Sequence, residues 1–120
     1  MIDYNNKNLA IGTIVQLNNK LNGRWGGGPK SIGICYEEYT IGLTDKGYSF
    51  IFENGDNSGF DLDEINNFLI IIGYVQLSYK FINVIILSHD FNKGLFNNIF
   101  KEVNIYKNKG LLNIGARLRQ

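Results

Sequence analysis

The chain has 120 residues, a mass of 13.6 kDa, 44% hydrophobic content and a formal charge of +1, which predict one domain around one core over residues 1–120. Its twelve Lys and Arg are scattered from Lys7 to Arg119 instead of forming a basic block, which argues against duplex nucleic acid as a partner, since that affinity comes from many phosphate contacts. Phe68 to Val75 is the longest apolar run, far short of the roughly 20 residues a membrane helix needs, so no membrane partner is expected. The polar start, Met1 to Asn8, has no secretory pattern, and a single cysteine, Cys35, cannot form an internal disulfide; both point to the cytoplasm.

In chain order, Ala10 to Leu17 reads as a first strand, ending at Asn18–Asn19. Asn22 to Lys30 is a loop in which five of nine residues are Gly or Pro. Ser31 to Tyr36 and Tyr39 to Leu43 read as two strands joined across Glu37–Glu38, with Asp45-Lys46-Gly47 as a hairpin turn. Tyr48, Phe50 and Phe52 then share one strand face, Ser49, Ile51 and Glu53 the other, and the run stops at Asn54–Gly55.

Asp61 followed three residues later by Glu64 is a capping-box pattern, and Ile65, Phe68 and Leu69 give a short apolar helical stripe. Ile70 to Leu77 and Phe81 to Leu87 are short and β-branched and read as buried strands. Leu95, Phe96, Ile99 and Phe100 recur at helical spacing within Asn92 to Lys101, and Val103 to Tyr106 reads as a return to strand. The tail from Gly110 onward has no clear pattern. The expected fold is α+β: an antiparallel, barrel-like β-sheet with one or two short helices.

Catalysis finds little support. The only histidine, His89, stands beside Asp90, and neighbours on a strand point to opposite faces; a triad through Cys35 or Ser88 depends wholly on the fold. One Cys and one His cannot make a structural zinc site. The acidic loop Asn54 to Ile65 has oxygen-bearing residues spaced for calcium but ends in Ile65 where a bidentate Glu is required, so it reads as a turn leading into the capped helix. Pro29-Lys30-Ser31 lacks the Gly that precedes Lys in a phosphate-binding P-loop. No enzyme and no cofactor is expected.

Binding is better supported. Only three basic residues are Arg, namely Arg24, Arg117 and Arg119, and Arg24 adjoins the only tryptophan, Trp25, in the glycine-rich loop. A guanidinium fork grips phosphate and an indole stacks on a base, so this loop is a candidate clamp for a nucleotide-like ligand. The alternative is that Trp25 plugs one end of the barrel and the arginines are solvated surface charges.

The segments Gly47-Tyr-Ser-Phe-Ile-Phe-Glu-Asn-Gly55, Ser58-Gly59-Phe60, Tyr79 to Val84 and Asp90 to Gly94 resemble small phage-encoded proteins, among them the anti-Thoeris sponge family. That resemblance implies a non-catalytic anti-defence protein of the host-cell cytoplasm. It would be a homo-oligomer that sequesters a cyclic ADP-ribose signal at subunit contacts, with Phe81, Phe91, Asn92, Arg117 and Arg119 as further ligand-binding candidates. Each has a plainer role open to it: core for Phe81 and Phe91, a helix cap for Asn92. The competing expectation is a protein-interaction module that inhibits a bacterial defence enzyme or toxin, docking through the acidic segment Asp56 to Glu64.

Overall fold

The computed structural model describes residues 9–18, 30–76, 93–110 and 116–117, with the backbone alone at 93–98 and 116–117. Among the described residues, six strands and two helices follow in the order β1 (Thr13–Leu17), β2 (Ile32–Ile41), β3 (Asp45–Phe52), β4 (Asn57–Asp61), α1 (Leu62–Phe68), β5 (Leu69–Gln76), α2 (Lys93–Asn108) and β6 (Ala116–Arg117). Strands β4-β3-β2-β1-β5 form an antiparallel sheet, with β6 added parallel to β5 at its edge. The fold is thus α+β, as expected.

The sheet is open, not barrel-like. Among the described residues its end strands, β4 and β6, do not pair with each other, and its two faces carry two separate cores. Alternation along the strands assigns them: Ile14, Ile34 and Ile51 pack with Ile99, Phe100 and Val103 of α2, while Val15, Leu17, Cys35, Phe50 and Phe52 pack with Ile65 of α1. A closed barrel has a single interior; here one helix covers each face.

Strand β3 is buried from Gly47 to Phe52. Phe50, Phe52 and Phe60 are fully buried and meet at tilted or edge-on angles, with centroids 5.6–6.4 Å apart, the geometry ring quadrupoles favour. Helix α1 starts where the sequence predicts: the Asp61 carboxylate accepts from the Glu64 N–H at 2.8 Å, and the Glu64 carboxylate accepts from the Asp61 N–H at 3.1 Å.

Four local expectations need correction. Ser31–Tyr36 and Tyr39–Leu43 are one continuous strand, β2, because a bulge between Cys35 and Glu37 absorbs the break in alternation. The hairpin turn is Gly42-Leu43-Thr44, closed by the Ile41–Asp45 pair, while Asp45-Lys46-Gly47 lies within β3; Gly42, at φ +64°, supplies the left-handed residue. Asn57 to Asp61 is strand β4, not part of a loop. Val103 to Tyr106 continues α2 because Val103 packs with Ile99 and Phe100 on the sheet. The strand expected at Phe81 to Leu87 lies outside the described residues.

Two further irregularities hold the strands in register. Ile14 pairs with Gly73 but Val15 with Ile71, so Ile72 is an extra residue that moves β5 from one core to the other. Gly12, at φ +99°, accepts from the Val75 N–H and donates to the Cys35 carbonyl; a Cβ there would stand 1.9 Å from the Val75 carbonyl oxygen.

Candidate functional site

The β2 bulge has a chemical consequence. In regular alternation Tyr36 and Glu37 would point to opposite faces, but the extra residue brings both to the side of Ser49. There the Tyr36 hydroxyl donates to Asn57 Oδ1, and the Ser49 hydroxyl donates to Glu37 Oε1 at 3.1 Å. Two residues on, the ring of Tyr39 lies across β3 and β4 above Gly47 and Gly59. A Cβ at Gly47 would come within 2.3 Å of that ring, and one at Gly59 within 2.4 Å of its hydroxyl. These two glycines serve as the floor under a tyrosine.

Carboxylates surround this ring. Burial raises the Tyr39 phenol above its ordinary value of 10.0, and the negative charges of Glu64, Asp61 and Glu37 raise it further. Burial likewise raises Tyr36, with Asn57 pulling the other way. Both phenols therefore stay protonated across the neutral range, and that of Tyr36 donates to Asn57. Further along the strands from Tyr39, where the β2–β3 hairpin meets the start of α1, Ile41, Asp45, Lys46, Asp61, Leu62 and Asp63 line a pocket of about 250 Å³. Lys46 is bound to Glu38 at 3.1 Å, so its charge is already shared. The hairpin tip next to the pocket is apolar and open to solvent: Leu43 is 99% exposed and Ile41 41%.

This corner combines an exposed aliphatic tip, a pocket with carboxylates on its walls, and the protonated Tyr39. Such a mixture suits a protein surface carrying a cationic and apolar segment. It does not make a metal centre: among the described residues, no three His, Cys, Asp or Glu side chains converge to hold an ion. Nor is Cys35 a nucleophile. Burial pushes its thiol from 9.0 up to about 12, outweighing the opposite effect of its hydrogen bond to the Glu37 carbonyl, so almost no thiolate exists at neutral pH.

Of the ligand-binding residues expected from sequence, only Arg117 falls among the described residues, and there by its backbone alone. Arg24, Trp25, Phe81, Phe91, Asn92 and Arg119 lie outside the described residues, as do Ser88 and His89. Arg117 falls in β6, its backbone paired with Gln76. Of the acidic segment Asp56 to Glu64, the structure brings Asp61, Asp63 and Glu64 to the corner. Sequence reasoning missed Tyr39, Ile41, Leu43 and Asp45, whose role depends on the bulge and on the true hairpin turn. One signal was available: Leu43 is an apolar residue beside a glycine in a turn, where burial is hard to achieve.

No family model, no curated protein and no solved structure matches this chain.

Proposed function

We propose that this chain is a non-catalytic binding protein that docks onto a partner protein through the corner formed by the β2–β3 hairpin tip and the start of α1. The observation that carries this reading is Leu43, which stands almost wholly in solvent next to the carboxylate-walled pocket. A large aliphatic side chain at a hairpin tip gains nothing for the fold, whereas at an interface it can fill a partner's pocket while Asp45, Asp61 and Asp63 form an acidic rim. The partner segment is accordingly basic and partly apolar. Inhibition of a bacterial defence enzyme or a toxin is a function of this kind.

The test is capture of a stoichiometric protein partner from the producing cells by the wild-type chain, compared with Leu43→Asp and Asp63→Lys, both at exposed positions. Loss of capture in both variants, with folding intact by circular dichroism, supports the proposal. Capture unchanged by either variant refutes it.

A second reading is a phage sponge that sequesters a cyclic ADP-ribose-type signal as a homo-oligomer in the host cytoplasm. Its support is the pairing of Gln76 with Arg117, which ties one of the candidate phosphate-gripping arginines to the sheet edge. Native mass spectrometry of the purified chain incubated with cyclic ADP-ribose separates the two. A bound nucleotide, lost in Arg117→Ala and unaffected by Leu43→Asp, favours the sponge.

A further inference from the structure

The outer edge of β4 adjoins the acidic corner, and one bond at the β3–β4 turn sets the phase of its hydrogen bonding. The Phe52 N–H donates to the Asp56 carbonyl at 2.9 Å, which makes that opposed pair a hydrogen-bonded one. In an antiparallel ladder such pairs alternate with non-bonded ones, so the pairs Phe50–Ser58 and Tyr48–Phe60 are also bonded. Asp56, Ser58 and Phe60 therefore turn their backbone groups toward β3, and Asn57, Gly59 and Asp61 turn theirs away. The Asp61 N–H is used by the Glu64 carboxylate, but Asn57 and Gly59 are exposed, and among the described residues no strand pairs with this edge. The Asn57 side chain is held by the Tyr36 hydroxyl, so it is not turned back onto its own backbone.

We infer that β4 is a docking edge onto which an extended segment of the partner, bearing Lys or Arg, adds as a further strand; this rests on the docking reading above. Charge decides the occupant. The edge is flanked by Asp56 at one end and by Asp61 and Asp63 at the other, so cationic side chains on an incoming strand meet carboxylates. A second copy of this chain pairing β4 with β4 would instead bring two sets of aspartates together, which like-charge repulsion disfavours. The backbone bonds of Asn57 and Gly59 supply register, and the carboxylates supply preference for a basic sequence.

The probe is a blocked peptide of about seven residues alternating Lys and Thr, long enough to span one strand, titrated into the full chain with amide exchange read by NMR. Slowed exchange at the Asn57 and Gly59 amides, with Ser58 and Phe60 unchanged because β3 already holds them, is the expected result. Binding weakens severalfold in high salt and roughly threefold to tenfold in Asp63→Lys. A twin peptide N-methylated at alternate residues, which cannot complete the ladder, does not bind. Equal binding of that twin, absence of binding at millimolar peptide, or protection of Asn57 and Gly59 that grows with protein concentration alone would each overturn the edge assignment. Partner capture that still depends on Leu43 then leaves the docking corner standing without the edge, whereas capture independent of Leu43 and Asp63 removes the docking reading itself.

Discussion

Replacing Gly47 by Ala puts a methyl group into the ring of Tyr39. Carbon atoms in contact prefer about 3.5–4.0 Å, and the new Cβ would lie 2.3 Å from two ring atoms, so more than an ångström of overlap has to be relieved. The ring is the end of a rotatable, partly exposed side chain, so it can swing out, giving up its packing on β3 and β4 at a cost of about 1–3 kcal/mol. Without an obstacle, Gly→Ala stabilises by about 0.4–1 kcal/mol by restricting the unfolded chain. The expected signature is therefore a change of sign: Gly47→Ala destabilises the wild type by about 1–2 kcal/mol but is neutral or stabilising in a Tyr39→Ala background. Urea unfolding of the four proteins measures this cycle, provided the m-values agree. If Gly47→Ala has the same effect in both backgrounds, the glycine is not there to seat the ring, and the reasoning fails.

Gly12→Ala meets a backbone carbonyl, which cannot swing aside, at a φ that disfavours a side chain, and should cost about 3–5 kcal/mol, visible as a large drop in the urea midpoint. Asp61→Ala removes the N-cap of α1 and should cost about 0.5–2 kcal/mol, with Asp61→Asn recovering most of it in thermal melts. Cys35 ties stability to alkaline pH: between 9.0 and about 12 the folded chain keeps a thiol proton that the unfolded chain releases. Stability is therefore complete below pH 9 and falls as pH rises, by about 1.4 kcal/mol per unit from this group. Cys35→Ala should flatten the slope that begins near pH 9 and leave the part due to Tyr36 and Tyr39, whose shifts have the same direction; identical slopes in urea titrations from pH 8 to pH 10 would count against a buried neutral thiol.

Much of the fold could be read from local patterns because local physics produces it. The Asp61–Glu64 box starts a helix through bonds among four consecutive residues, and the alternation of Tyr48, Phe50 and Phe52 selects a face whatever lies opposite. The errors arose where a local pattern had two explanations. Asp45-Lys46-Gly47 resembles a turn because Gly often sits at positive φ, but Gly47 is in the strand to leave room for a ring contributed by another strand. Val103 and Tyr106 fit a strand by residue type, but their spacing from Ile99 continues a helical stripe.

By itself, then, the amino-acid order determined the class of fold, the helix cap and the inward faces of β3, all of which follow from periodicity and residue type within a few positions. Only the tertiary structure decided that the sheet stays open with a helix on each side, that Cys35 is shut in as a neutral thiol, and that Tyr39, Ile41, Leu43 and Asp45 share a corner with Asp61 and Asp63. The reason is that bulges and strand order arise from pairing between distant segments. One extra residue in β2 changes which side Glu37 and Tyr39 face, and nothing in their neighbours' chemistry announces it.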